Sequence, residues 1–300
     1  FWGFDRPGVK EFGSEIEKKW NKVYGRTPTH TFAAGFYIQP EYDAKRAEPL
    51  GYDPNGKLAI GYLNWDTKIG PLSFELNGAS TIGPFSKWNF NRLTSTSTIK
   101  WKKVLGIENK KRPDLDRNIT LHIKQRFIAG RIWADELGVP GQEGYNIEGN
   151  SSNDMLRKNY LVDQFYGADS LYAHYHLPGE GNLRGFVGRG QRGAEALVAS
   201  SSELSVYKNI ATPDKEDITF ELSTFFDGGV FWDREKNARQ RLNDHFSSRV
   251  LADAGFGFRV ITSLFEKDVF FRLDIPCFIY EENQSKINFN NWVFSFQRSL

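Results

Sequence analysis

Residues 188–193 read GRGQRG, a match to the G-x-G-x-x-G turn whose backbone amides can cradle a pyrophosphate. That chemistry needs a hydrophobic strand directly before the turn and a helix directly after it. The preceding stretch, LYAHYHLPGEGNLRGFV at 171–187, carries Pro178 and several glycines and is no clean strand. The following stretch, AEALVASSSELSVY, reads as a strand rather than a helix, so nucleotide binding is set aside. His174 and His176 would share one face of an extended segment and could offer two metal ligands, but no third ligand accompanies them. His30, His122 and His245 are isolated. Neither H-E-x-x-H nor G-x-S-x-G occurs, and no spacing singles out a hydrolytic pair of carboxylates. The single cysteine, Cys277, excludes an internal disulfide and a four-cysteine zinc site, and it falls on an apolar strand face as a small hydrophobe. No catalytic residue, metal site or cofactor is expected.

The elements that must carry these residues are β-strands. Over 300 residues the net charge is +2, with both signs spread along the chain, so nucleic acid is not an expected partner. There is no run of about 18 apolar residues, but a barrel strand alternates lipid-facing and interior-facing side chains and escapes that test. The chain holds 25 Phe, 12 Tyr and 8 Trp, side chains favoured where a barrel meets lipid and its interfaces. From residue 29 a period of two prevails. In DITFELSTFFDGGVFW, Ile218, Phe220, Leu222, Phe226, Val230 and Trp232 share one face. Thr219, Glu221, Ser223 and Asp227 share the other, with Phe225 and Phe231.

Ten strands are predicted, at roughly 29–43, 57–66, 70–82, 92–104, 119–133, 194–208, 216–232, 250–264, 268–280 and 286–298. Many reach the ~9–11 residues that a tilted membrane strand needs. Their connections alternate between short and long, as in bacterial outer-membrane barrels, with the longest at 134–193. Ahead of them, Ser14 and Glu17 have capping-box spacing, and Ile16, Trp20 and Val23 fall on one helical face. Residues 1–28 are therefore expected to be a periplasmic helical segment or linker, with a helix at 14–24, and 29–300 the barrel. The first residue is Phe1, which suggests part of a longer precursor.

Four motifs in the second half resemble a known family. Leu183-Arg184-Gly185-Phe186 lies on the long loop, five strands from the C-terminus. Phe225-Phe226-Asp227-Gly228-Gly229 follows, then ADAGFGFRV with Gly255, Gly257 and Arg259, then FRLDIP with Arg272 and Asp274. In this order they are similar to the motifs of the bacterial surface antigen family, the outer-membrane barrels of the Omp-eighty-five superfamily. The resemblance covers about 175–300; upstream only the strand pattern agrees. It implies an arginine-tipped loop folded back into the barrel, its arginine against an acidic residue of a neighbouring strand. Arg184 offers a planar fork suited to a carboxylate, Gly185 a tight tip, and Asp227 sits on the inward face by alternation. Asp253, Arg259, Arg272 and Asp274 are inward by the same rule.

The C-terminal NWVFSFQRSL alternates Trp292, Phe294 and Phe296 with Val293, Ser295 and Gln297. It resembles the terminal strand that barrel-assembly machinery recognises, although Leu300 stands where that pattern ends in an aromatic residue. The expected fold is thus an all-β transmembrane antiparallel barrel, the chain supplying the last ten or so strands of sixteen. A smaller self-closed barrel of ten or twelve strands is the structural alternative. The resemblance implies a bacterial outer membrane, lipid and lipopolysaccharide as surroundings, and a role in protein insertion or translocation. No periplasmic transport-associated module is evident, so anchoring a fused periplasmic peptidase-like or lipase-like domain is kept beside that role. So is a structural subunit bound to other envelope proteins. A soluble β-rich carbohydrate-binding protein is the remaining alternative.

Overall fold

The computed structural model describes residues 2–6, 9–21, 29–39, 57–105, 119–140, 143–147, 180–186, 194–211, 217–234, 246–264, 267–281, 284–287, 289 and 292–298. These form one antiparallel sheet in which nearly every strand pairs with its neighbour in sequence. The strands are β1 (Trp2–Arg6), β2 (Val9–Asn21), β3 (Thr29–Gln39), β4 (Leu58–Ile69), β5 (Leu72–Thr81), β6 (Phe90–Leu105), β7 (Ile119–Ala134), β8 (Ala196–Ala211), β9 (Asp217–Arg234), β10 (Phe246–Leu264), β11 (Lys267–Glu281), β12 (Gln284–Ile287) and β13 (Val293–Arg298). Among the described residues no ladder joins β1 to the last strands. No helix among them is long and apolar enough to cross a membrane.

The nine strands predicted between 29 and 280 are present with shifted ends. The last predicted strand is divided: β12 and β13 both pair with β11, at its two ends. The helix expected at 14–24 is overturned. Residues 12–21 form a continuous ladder with β3, from Phe12 opposite Ile38 to Asn21 opposite Thr29. The reason is an ambiguity of period. Ile16 and Trp20 are four apart, which places them on one helical stripe and equally on one strand face. The neighbouring strand decides, because a ladder satisfies the backbone of both partners. Ile16 projects outward, and Tyr62 of β4 donates a 2.7 Å hydrogen bond to Glu15 on the opposite face.

Alternation sorts the two faces. On β9 Leu222 and Phe226 are 65% and 51% exposed, whereas Glu221, Ser223, Phe225 and Asp227 between them are buried. Phe32, Phe36, Leu63, Trp65, Phe127, Val198, Phe256 and Phe258 are likewise outward and exposed. An apolar outer surface over a charged inner one is the inverse of a water-soluble sheet protein. The inner face holds an apolar core at the end bearing the long connections. There Tyr37, Ile60, Phe90, Ile132, Leu197, Phe231, Leu251 and Ile279 meet Tyr145, Ile147, Leu183 and Phe186 of the loop between β7 and β8. One loop thus touches strands from β3 to β11, which requires the sheet to curl around it.

One irregularity aims side chains at this loop. The β10–β11 register slips between Ala254, opposite Phe278, and Gly255, opposite Pro276. Cys277 is the extra residue, with its thiol 3.5 Å from the Ala254 carbonyl oxygen. Proline lacks an N–H to give to a ladder, so a bulge is where a strand tolerates it. The slip reverses the alternation, and both Asp274 and Ile279 therefore face inward.

Candidate functional site

Two short pieces of the 134–193 loop enter the interior, 143–147 and 180–186. They are joined to each other and to the wall by backbone bonds. The Tyr145 N–H donates to the Ala194 carbonyl at 2.8 Å, the Gly181 N–H to Asn146 at 2.9 Å and the Leu183 N–H to Ile147 at 3.2 Å. Arg184–Phe186 form a single turn of 3-10 helix, all three residues buried. The turn carries its side chains to opposite sides. Phe186 and Leu183 enter the apolar core, and Arg184 faces the charged wall.

Arg184 lies among three carboxylates from three strands. Its Nε is 3.0 Å from Asp227 Oδ2 on β9, one terminal nitrogen is 3.1 Å from Glu203 Oε2 on β8, and the other is 3.6 Å from Asp274 Oδ2 on β11. The Nε–H does not point along the line to Asp227, so that contact is an ion pair rather than an aligned hydrogen bond. The guanidinium also stacks 4.0 Å over the Phe225 ring. The carboxylates have further partners. Arg272 Nε donates to both oxygens of Asp274 at 2.8 Å and its terminal nitrogen reaches Glu203 at 2.5 Å. The Ser201 hydroxyl donates to Asp227 Oδ1. Two guanidiniums and three carboxylates therefore share one water-poor cluster, in which each charge has an opposite neighbour. Coulomb attraction in such surroundings is strong enough to offset much of the desolvation cost.

The tip glycine is required by space. A Cβ on Gly185 would lie 2.8 Å from the Asp253 Cβ and 3.1 Å from Ile279 Cγ1. Asp253 is fully buried and faces the Gly185 amide. Arg259 stands apart from this cluster and pairs with Glu221 on β9 at 2.9 Å. Of the residues singled out in the sequence, the structure thus brings together Arg184, Gly185, Asp227, Asp253, Arg272 and Asp274. Phe186 anchors the same turn in the core.

A second set of contacts has no motif to announce it. Glu143 is buried and accepts from the Tyr37 hydroxyl of β3 at 2.6 Å and from Arg92 of β6 at 3.1 Å. The Tyr145 hydroxyl donates to the Leu93 carbonyl at 3.0 Å and lies 2.9 Å from the Thr94 hydroxyl. Its ring covers Gly130 of β7, where a Cβ would clash with it. Arg126 of β7 donates to the Glu180 carbonyl at 2.8 Å. Alternation alone turns Arg92 and Gly130 inward, but nothing in the sequence ties them to residues 143–145. Toward the short-turn end lies a cleft of about 460 Å³ lined by Thr31, Asp66, Lys68, Phe74, Glu75 and Thr98.

The C-terminal aromatic residues lie at the β11 edge. Phe294 is opposite Leu273 and Phe296 opposite Phe271, with the Phe294 and Phe271 rings 6.3 Å apart. Trp292 precedes β13 and is exposed, and Val293 is buried. GRGQRG, His174 and His176 lie outside the described residues, as do Val23 and Leu300. Among the described residues no three His, Cys, Asp or Glu side chains are placed so that they could hold a metal ion.

Compared with known families, residues 156–291 match the model of the Omp85 superfamily domain, a span that includes the Arg184 turn, β8–β11 and β12. No curated protein matches the chain.

Proposed function

We propose that this chain, which carries an Omp85 superfamily domain over residues 156–291, works in the bacterial outer membrane as a barrel that inserts or translocates polypeptides. The observation that carries this reading is the Arg184 turn seated against Asp227, Glu203 and Asp274 inside a sheet whose outer face is apolar. A pinned interior loop fixes the inner wall, and an edge formed by β12 and β13 is the side from which another strand could pair. In this reading lipid and lipopolysaccharide cover Leu222, Phe226 and Phe256. Arg184, Gly185, Phe186 and Asp227 lock the loop, and Asp253, Arg259, Arg272 and Asp274 are its interior charges. Trp292, Phe294 and Phe296 form the segment that assembly machinery reads.

The test is reconstitution. The chain is inserted into liposomes and an unfolded outer-membrane barrel is added as substrate. Substrate should fold faster than with empty liposomes, and Asp227→Asn should reduce the gain. A chain that inserts fully yet leaves the folding rate at the empty-liposome value overturns this reading in favour of an anchor or a structural subunit.

A further inference from the structure

We infer that the interior loop is held by a second anchor, Glu143 against Arg92 and Tyr37, which holds its entering limb through strands other than those that hold the arginine turn. This rests on the inward-loop reading above and adds a distinct point of control to it. Glu143 is fully buried, and its carboxylate takes one hydroxyl and one guanidinium donor from two different strands. Arg92 also reaches the Glu143 carbonyl at 3.4 Å, so the backbone is held together with the side chain. Two residues on, Tyr145 extends the contact to β6 and β7 through Thr94, Leu93 and the space left by Gly130.

These contacts lie on β3, β6 and β7, whereas Arg184 binds β8, β9 and β11. In the contacts described above the two anchors share no side chain, yet they are coupled by the backbone bonds from Gly181 and Leu183 to residues 146 and 147. Releasing one leaves the loop tethered to the other set of strands, and full release requires both. Arg92 is the more accessible cation, its side chain 17% exposed against 4% for Arg184.

The experiment uses the whole chain in outer-membrane vesicles and reads two quantities: the mobility shift between unheated and heated gel samples, and the rate of protease cleavage within the loop. Glu143→Gln removes the charge and keeps the shape. It should retain the unheated shift and raise cleavage roughly tenfold, the ratio expected for losing one charged hydrogen bond. Combined with Asp227→Asn, cleavage should exceed that of either single variant. The charge swap Glu143→Arg with Arg92→Glu should return it toward wild type. Should Glu143→Gln fail to insert, Tyr37→Phe, which removes one hydroxyl, takes its place with a smaller rise. Cleavage at the wild-type rate in the inserted variant, alone and in the Asp227→Asn background, overturns the second anchor. A wild-type chain that shows no heat-dependent shift overturns the barrel reading instead.

Discussion

The two anchors of the loop hold by different means. At the arginine turn, one guanidinium sits among carboxylates from three strands at 3.0, 3.1 and 3.6 Å, without an aligned hydrogen bond to Asp227. At the entering limb, one carboxylate takes directed hydrogen bonds from Tyr37 and Arg92 at 2.6 and 3.1 Å. The first is a pooled charge balance. Removing one member leaves its neighbours with excess charge, so the damage spreads. The second is a local, directional contact, and damage there should stay local.

The largest effect is expected at the pooled cluster. Asp227→Ala leaves Arg184 short of a buried partner, a loss of ~3–5 kcal/mol. The temperature at which the folded gel band disappears should fall clearly, and an unchanged temperature would show that Glu203 and Asp274 suffice.

A control lies outside both anchors. Leu222→Arg places a cation on the outer face of β9, at up to ~2–4 kcal/mol if that face meets hydrocarbon. Denaturant titration in lipid should register the loss, while loop cleavage stays at the wild-type rate. A neutral effect would mean water on that face.

Next come the two close approaches. Gly185→Ala forces the new methyl against Asp253 and Ile279, and Gly130→Ala forces it against the Tyr145 ring. Each should cost ~1–3 kcal/mol by overpacking. The first should disturb the arginine turn and the second the entering limb, which limited proteolysis with mapped cleavage sites can separate. Smallest is Ser201→Ala, which removes one donor to Asp227 and should cost about 1 kcal/mol by the same denaturant titration.

What the sequence discloses follows the same division. The arginine turn is legible because its parts sit on alternating strands and inside short motifs. Asp227, Asp253 and Asp274 are inward by parity alone, and Arg184 is marked by the tight Gly185 beside it. The pairing of Arg184 with Glu203 carries no such mark, since Glu203 is one more inward polar residue of β8. Glu143 is invisible: it lies in a loop with no period, and its partners are 51 and 106 positions away in the chain. Strand existence was readable from β3 to β11, where outward Phe and Leu alternate with charge. The pattern is ambiguous at 14–24, where four-residue spacing fits both periods, and at 286–298, where two short strands look like one. The bulge at Cys277 also escaped, although Pro276 within a strand pattern is a signal for one.

The most direct test asks whether the loop tip lies against the wall in the membrane. With Cys277→Ser as background, Gly185→Cys and Asp253→Cys are introduced together and oxidised in intact outer membranes. A Cβ at 185 would lie 2.8 Å from that of Asp253, about 1 Å short of the ~3.8 Å that a disulfide spans, so the bond closes after a small outward shift of the tip. A control pair joins Asp227→Cys with Asp253→Cys, which are direct ladder partners on β9 and β10. The account predicts a cross-link between the tip and β10 as readily as in the control. A control pair that closes while the tip pair stays reduced would contradict an inward loop and, with it, both anchors.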